Sequence, residues 1–132
     1  MNEEHAGSCL CGAVRYVASG PLKAVSHCHC SMCRKAHGAA FASYGAVRVE
    51  DFRWEQGEDS LTRYQSSATV QRLFCRHCGS SLAWVSSENP EWIALALGTL
   101  DTDFQPAKQK HIHVASKVCW FAITDDWPQR LE

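Results

Sequence analysis

Hydrophobic and polar residues alternate along this chain in short runs, which is the period expected of half-buried β-strands. β-branched and aromatic residues are frequent in these runs, and Gly, Pro and Asn separate them. Many short strands at roughly ten-residue spacing predict an all-β barrel or folded sheet. Strands are predicted at Ala13–Ala18, Lys23–His27, Ala40–Tyr44, Ala46–Val49, Leu61–Gln65, Thr69–Phe74, Ser81–Val85, Trp92–Leu97, Lys110–Val114 and Val118–Thr124.

One segment, Ser31–His37, has helical rather than alternating spacing, with Met32, Lys35 and Ala36 at helical intervals. Ser31 is the expected N-terminal cap of this helix. No linker, low-complexity stretch or fixed-period repeat divides the chain. Its 132 residues therefore predict a single domain over residues 1–132.

Composition and net charge argue against several classes of function. The chain is 45% hydrophobic and 20% charged, which is typical of a globular protein rather than a disordered one. A formal net charge of −1 provides no basic surface for nucleic acid. The longest apolar run, Trp92–Leu97, is too short to cross a bilayer, and Met1–Gly7 does not resemble a signal peptide. We therefore expect a cytoplasmic protein with no nucleic-acid or membrane partner.

Seven of the eight cysteines form three tight clusters, and the spacings within them are those of metal-binding knuckles or redox pairs. Disulfides are rare in the cytoplasm, so a disulfide framework is the weaker interpretation. Cys75-x-x-Cys78 alone suits a redox pair, but Cys9-x-Cys11 provides two further thiols. Four thiolates close a tetrahedral structural zinc site. We define the four-cysteine set as Cys9, Cys11, Cys75 and Cys78.

The third cluster is the three-cysteine set, Cys28, Cys30 and Cys33. Three thiolates leave one position of a tetrahedral zinc ion open to water or substrate, which is the arrangement of a catalytic site. The alternative is a second closed structural site whose fourth ligand is another side chain, and residue types alone favour neither. The candidate fourth ligands are His27, His29, His37 and Cys119.

The sequence also allows predictions for several residues outside these two sets. Cys119 is predicted to be a buried strand thiol, and its neighbour Trp120 is expected near a cleft. His77, inside the Cys75/Cys78 knuckle, is expected at the surface. His111 and His113 are predicted to share one face of a strand, and an exposed face is favoured over a ligand pair.

These motifs together resemble the glutathione-dependent formaldehyde-activating (GFA) family, which has the Mss4-like fold. Two departures from the family pattern stand out. Cys119 occupies the place where the family often has proline before tryptophan, and Asp126 the place where it often has glycine. The matching segments are Gly7–Tyr16, His27–Lys35 with Gly38–Ala40, Phe74–Leu82, and more weakly His111–Lys117 with Trp120–Asp125.

The resemblance implies a zinc-pinned structure of folded β-sheets with one short helix and two zinc ions per chain. By family correspondence, the four-cysteine set binds a structural zinc, and Cys28, Cys30 and Cys33 bind a catalytic one. The reaction of the family joins glutathione and formaldehyde reversibly as S-(hydroxymethyl)glutathione, and it is classed with carbon–sulfur lyases.

The expected mechanism places a glutathione-like thiol at the open position of the three-cysteine zinc. The thiol would lose its proton there and attack an aldehyde, and the reverse path would cleave the adduct. The developing alkoxide needs a general acid, for which Lys117, His29 and His37 are the candidates. The competing hypothesis is a non-enzymatic binding or chaperone-like module in which both zinc ions are structural.

Overall fold

The structure, a computed structural model, describes residues 3–132 and contains two β-sheets and one short α-helix. This architecture confirms the predicted all-β class with a single short helix. In chain order the elements are β1 (Glu4–Ser8), β2 (Arg15–Ser19), β3 (Lys23–Cys28), α1 (Ser31–His37), β4 (Ala42–Arg48), β5 (Phe52–Gln56), β6 (Leu61–Gln65), β7 (Val70–Cys75), β8 (Ser81–Ser86), β9 (Trp92–Ala96) and β10 (Lys110–Ile112).

The larger sheet has seven strands in the order β10-β3-β4-β9-β8-β7-β6, and the smaller has three in the order β1-β2-β5. Neighbouring strands are antiparallel except β3 and β10, which run parallel. The β3–β10 pair matters for the site because it aligns Cys28 with Ile112 at the carboxyl end of both strands.

Strand alternation gives the large sheet two buried faces, as β9 illustrates. Leu95 is fully buried in the main core, which also contains Tyr16 of the small sheet and Val14 just before β2. Ala94 and Ala96 point the other way, into a second cluster that contains Cys28 and Cys33. Full burial of a residue such as Leu95 stabilises the fold by about 1.5–3 kcal/mol. The second face of the sheet therefore carries the three-cysteine set.

The small sheet depends on a close approach between Gly7 of β1 and Tyr16 of β2, which face each other in register. A Cβ atom at Gly7 would lie 2.2 Å from Cζ of Tyr16, so this position accepts only glycine without rearrangement. The Tyr16 hydroxyl hydrogen-bonds the Thr99 hydroxyl at 2.7 Å, which fixes the ring over the glycine. This packing holds β1, and the Cys9 loop that follows it, against the large sheet.

Some predicted elements agree closely with the structure, and others differ from it. Ser31–His37 is helical and Leu61–Gln65 is a strand, both with the predicted bounds. The two strands predicted around Gly45 form one continuous strand, β4, and the pattern missed β1 and β5. The helix is capped by the Cys30 side chain, which accepts from the amide of Cys33 at 3.3 Å, rather than by Ser31.

The strand predicted at Val118–Thr124 is wrong. This segment makes no strand pairing, and the ammonium of Lys117 donates to the carbonyl oxygens of Val118 and Phe121 at 2.8 and 2.6 Å. Those carbonyls are bonded by a side chain instead of a strand ladder. No helix within residues 3–132 is long and apolar enough to cross a membrane.

Candidate metal centres

The four-cysteine set is assembled from two loops that the sheets bring together. Cys9 and Cys11 lie in the turn after β1, and Cys75 and Cys78 lie at the end of β7 and in the turn that follows. All eight cysteines are free thiols. The four Sγ atoms of this set lie within 4.8 Å of one another, which confirms that the two knuckles meet.

Backbone amides and a hydroxyl lie within hydrogen-bond distance of three of these sulfurs. The amide of Val14 donates to Sγ of Cys9 at 3.2 Å, and the amide of His77 to Sγ of Cys75 at 3.4 Å. The Ser80 hydroxyl lies 3.3 Å from Sγ of Cys78, and this bond is the main reason that the pKa of Cys78 is lowered to about 5. Charge-assisted donors of this kind prepare a thiol to bind a cation.

The spacing of the sulfurs suits zinc. Sγ of Cys9 lies 3.6 Å from Sγ of Cys11, which lies 3.8 Å from Sγ of Cys75. A tetrahedral ion with Zn–S bonds of about 2.3 Å places its sulfurs about 3.8 Å apart. Four soft thiolate donors also favour zinc or an iron–sulfur centre over magnesium or calcium. The residues present therefore fit a closed structural zinc.

The three-cysteine set is local in sequence, and two elements present it. Cys28 is the last residue of β3, Cys30 caps α1, and Cys33 lies in the first turn of that helix. Their Sγ atoms lie within 4.8 Å of one another, and Cys28 and Cys33 are buried. No fourth Cys, His, Asp or Glu ligand atom joins this group among residues 3–132.

An arginine from a distant strand completes this group. Nη1 and Nη2 of Arg72, on β7, donate to Sγ of Cys33 at 3.8 and 3.7 Å. Hydrogen bonding with Cys28, and then with Cys30 and Arg72, lowers the pKa of Cys33 to about 5 against the effect of burial. The pKa of Cys28 is raised by its hydrogen bond with Cys33 and by burial. Cys33 is therefore the anionic member of the metal-free pair.

The three sulfurs form part of the wall of a cavity of about 480 Å³, which we call the thiol cavity. This volume lies within the range of roughly 300–1,000 Å³ typical of small-molecule sites. The remaining wall combines apolar side chains from six strands and α1 with the polar residues Ser26, Tyr44, Ser66, Ser67, Arg72 and His113. Three thiols at one cavity, with no fourth protein ligand, form a set that can hold zinc with a position open to a ligand.

All four side chains considered as fourth ligands lie outside the three-cysteine set, and the three histidines among them are hydrogen-bonded to other partners. His27 bonds the Ser43 hydroxyl and the Gln109 side-chain oxygen at 2.8 and 2.7 Å. His37 bonds the Tyr44 hydroxyl at 2.8 Å. Nε2 of His29 pairs with Nδ1 of His111 at 2.8 Å, on the sheet face opposite Cys28.

Cys119 is the fourth of these candidates, and its predicted burial is wrong. The residue lies in a turn of the C-terminal segment, exposed and outside both cysteine sets. Its neighbour Trp120 is 70% exposed and does not line the thiol cavity, which corrects the expectation of a nearby cleft. Neither residue forms part of a strand, because the predicted Val118–Thr124 strand is absent.

The two histidines predicted to share an exposed strand face are separated. His111 is buried and hydrogen-bonds a carboxylate oxygen of Asp125 at 2.9 Å. His113 lies just past β10 in the left-handed region at φ 56°, exposed at the edge of the thiol cavity. His77 is exposed, as predicted.

Two residues of the cavity were missed by sequence reasoning. Tyr44 is buried, and its hydroxyl accepts from Nη1 of Arg72 at 3.3 Å while it bonds His37. Burial and the nearby Cys33 thiolate raise the pKa of Tyr44, so the phenol stays protonated at neutral pH. The sequence feature that could have indicated Arg72 is its position as a charged residue among the alternating apolar residues of β7. Of the predicted general acids, His37 hydrogen-bonds Tyr44, whereas Lys117 and His29 are bonded to other partners. None of the three lines the cavity itself.

Comparison with known proteins supports the resemblance of the motifs. The sequence profile of the glutathione-dependent formaldehyde-activating enzyme family matches residues 4–116. A Halomonas elongata protein named provisionally as such an enzyme is 30% identical over 125 residues, which cover 89% of this chain and 79% of that protein. An uncharacterized lyase of Schizosaccharomyces pombe is 29% identical over 92 residues, which cover 68% of this chain. That alignment spans 65% of the yeast protein, just under two thirds of its length.

The fold has a counterpart among solved structures. The crystal structure of a Rhodobacter sphaeroides protein superimposes with a TM-score of 0.60 at 29% sequence identity. The match covers 75% of this chain and 90% of that one. The two cysteine sets, the all-β fold and the extent of the profile match all agree. The chain therefore belongs to the glutathione-dependent formaldehyde-activating enzyme family.

Proposed function

We propose that this chain is a single-domain enzyme over residues 1–132 that forms and cleaves the carbon–sulfur bond of a thiol–aldehyde adduct such as S-(hydroxymethyl)glutathione. The names of the Halomonas and yeast relatives, a formaldehyde-activating enzyme and a lyase, support this class. The observation that carries the proposal is that three thiols, and not four, meet at an open cavity. A purely structural zinc would need a fourth protein ligand.

In this proposal the four-cysteine set holds a structural zinc, and Cys28, Cys30 and Cys33 hold a catalytic one. Zinc at the three-cysteine set would stabilise the thiolate form of an incoming thiol such as that of glutathione. The backbone positions these three ligands: the amide of His29 donates to the carbonyl oxygen of Ile112 at 3.0 Å, and Cys30 caps α1. The Arg72 guanidinium offsets part of the negative charge of the three thiolates.

The bond changes of the cleavage direction define what the cavity residues must do. The C–S bond breaks and its electron pair stays on sulfur, while the adduct hydroxyl loses its proton and becomes the carbonyl oxygen of the aldehyde. In the addition direction the thiolate attacks the carbonyl carbon, and the oxygen takes up a proton. A proton donor and acceptor is therefore needed beside the sulfur in both directions.

Tyr44 is the residue we assign to this proton transfer. Tyr44 lines the cavity, and its hydroxyl bonds Nε2 of His37 at 2.8 Å, while Arg72 donates to its oxygen. Burial, and then the charge of Arg72, lowers the pKa of His37, so its ring is neutral at pH 7. With the ring proton on Nδ1, Nε2 accepts from the phenol, whose oxygen accepts from Arg72. In the cleavage direction Tyr44 can take the proton of the adduct hydroxyl as it passes its own proton to Nε2 of His37. In the addition direction the same two transfers run in reverse, so His37 returns the proton to Tyr44 and Tyr44 gives one to the substrate oxygen.

Acceleration of adduct exchange tests the function directly. Because glutathione and formaldehyde combine spontaneously, the exchange rate is measured by NMR with and without zinc-loaded protein. Cys30→Ser provides the folded inactive control. Tyr44→Phe is expected to slow exchange by about 10²-fold, with Tyr64→Phe, an exposed tyrosine on β6, at the wild-type rate. An exchange rate that the wild-type protein does not change would contradict the proposal.

The competing binding-module hypothesis makes a different spectroscopic prediction. If the three-cysteine site is open to a thiol, adding glutathione to cobalt-substituted protein changes the absorption bands of the metal. If another ligand closes the site, the spectrum stays constant and the non-enzymatic hypothesis is favoured. This measurement does not depend on turnover, so it separates an open site from an active one.

A further inference from the structure

The thiol cavity is more apolar than a one-carbon aldehyde and a charged tripeptide require. Its wall includes Met32 of α1, Val70 of β7, Trp84 of β8 and Ile112 of β10. Alanine residues from β4 and β9, Ala46 and Ala94, leave the space between these larger side chains open. A hydroxymethyl group has one carbon and leaves most of a cavity of about 480 Å³ unfilled.

The small number of charged side chains on the wall also favours an apolar ligand. Arg72 is the one Lys, Arg, Asp or Glu residue among the described residues that line the cavity. Its guanidinium is engaged with Sγ of Cys33, the hydroxyl of Tyr44 and the hydroxyl of Ser66 at 3.1 Å. Glutathione carries two carboxylates and an ammonium group at neutral pH. A carboxylate placed deep among the apolar side chains would find only the already engaged Arg72 as a charged partner, and such burial is disfavoured. The deep part of the wall therefore complements an apolar group better than the charges of the peptide.

We infer that the adduct this site processes carries an apolar group of ring size, which packs against Trp84, Met32 and Val70 beside the three-cysteine set. The inference rests on the proposed function, since it names the substrate class of the same site. The apolar group belongs either to the thiol or to the aldehyde, and its chemistry is the same in both cases. Aromatic and branched aliphatic groups suit a wall that contains an indole ring and a flexible thioether.

A set of four adducts tests the inference and locates the apolar group. Glutathione and phenylmethanethiol are each combined with formaldehyde and with phenylacetaldehyde, and kcat/KM for cleavage is measured with zinc-loaded wild-type protein. At least one single-phenyl adduct is expected to exceed S-(hydroxymethyl)glutathione tenfold or more in kcat/KM. The better of the two single-phenyl adducts shows whether the thiol or the aldehyde supplies the group.

A variant of the wall links this preference to the cavity. Met32 is 50% exposed, so Met32→Gln keeps the side-chain length and the fold while it makes the wall polar. We expect the ratio of kcat/KM between the preferred phenyl adduct and S-(hydroxymethyl)glutathione to fall at least threefold. Leu131→Gln is the matched control, because Leu131 is 70% exposed and does not line the cavity. An unchanged ratio in Met32→Gln overturns the assignment of the wall.

Binding provides a readout that does not depend on turnover. The dissociation constants of phenylmethanethiol and glutathione for zinc-loaded protein are compared by calorimetry. If the thiol supplies the apolar group, phenylmethanethiol is expected to bind at least tenfold more tightly; if the aldehyde supplies it, glutathione with phenylacetaldehyde is the preferred adduct and the two thiols bind alike. Equal or weaker binding of phenylmethanethiol, together with preferred cleavage of S-(hydroxymethyl)glutathione, overturns the inference but leaves the proposed function standing. Absence of cleavage of all four adducts contradicts the proposed function, and phenylmethanethiol that then binds no more tightly than glutathione overturns the inference as well.

Discussion

The guanidinium of Arg72 lies 3.7 Å from Sγ of Cys33, although the two residues are 39 positions apart in the chain. One belongs to β7 at the far side of the large sheet, and the other to the helix after β3. This contact places a permanent cation beside a cluster of three thiols. It also bonds the strand that ends in the four-cysteine set to the helix that carries the three-cysteine set.

Removing this cation is expected to weaken metal binding at the three-cysteine set. Arg72→Met should lower the zinc affinity of this site by about 10–100-fold, since hydrogen-bond partners of metal ligands typically contribute this much. Zinc competition with a chromophoric chelator measures the change. Arg63→Met, which removes an exposed arginine of neighbouring β6, should bind zinc as the wild type does. Equal affinities for both variants would show that Arg72 has no part in holding the site.

The two cysteine sets are expected to respond differently to loss of one thiol. Cys30→Ser should remove one zinc per chain but keep α1, because serine is a good N-cap and its hydroxyl can accept from the amide of Cys33. Cys75→Ser should destabilise the whole domain, since Cys75 is fully buried and its set joins the β1 loop to β7. Zinc content and urea unfolding of both variants measure these effects.

The opposite pattern would reverse the assignment of the two sites. If Cys30→Ser unfolded the domain, the three-cysteine set would be structural, and the proposed mechanism would lose its basis. If Cys75→Ser kept the wild-type free energy of unfolding, the four-cysteine set would not stabilise the fold.

The contact between Gly7 and Tyr16 should be intolerant of a methyl group. Gly7→Ala places a Cβ atom 2.2 Å from Cζ of Tyr16, so the ring must move and the Tyr16–Thr99 hydrogen bond is strained. Overpacking of this kind costs about 1–3 kcal/mol of unfolding free energy. Gly98→Ala is the matched control, because its Cβ would meet no atom within 4 Å. Equal unfolding free energies for the two variants would rule out a tight Gly7 contact in solution.

His37 should make stability depend on pH. Burial, and then Arg72, lowers its pKa below the ordinary value of 6.5, so the unfolded chain binds more protons between these two values. The contribution of His37 to stability is therefore full above pH 6.5 and is lost as pH falls through the lower folded-state pKa. His37→Gln should reduce the loss of unfolding free energy between pH 7.5 and pH 5, a range of about two and a half units around that value.

Urea unfolding across this pH range compares the variant with the wild type at equal zinc loading. His113→Asn is the control, because His113 is exposed and asparagine tolerates its left-handed backbone. A wild-type pH dependence in His37→Gln would mean that His37 is not held neutral by its surroundings.

Sequence reasoning succeeded where the information is local. The helix Ser31–His37 and the strand Leu61–Gln65 follow from short-range periodicity, and the structure has both with the predicted bounds. Periodicity failed at β1 and β5, whose short runs contain glycine or charged residues, and at Val118–Thr124, whose apolar run has no partner strand. A strand needs a neighbour for its backbone hydrogen bonds, and the pattern of one segment does not supply that information.

The sequence by itself determined the chemistry: the cysteine spacings identified two sets of soft ligands, and the motifs identified the family. Only the tertiary structure decided what surrounds the second set. In the folded chain His27, His29 and His37 are hydrogen-bonded to other partners, and Cys119 is exposed. Arg72 contacts both Cys33 and Tyr44. The reason is physical. Ligands within one knuckle are fixed by a few backbone torsions, whereas contacts between β4, β7 and α1 depend on strand order and on the face to which each side chain points.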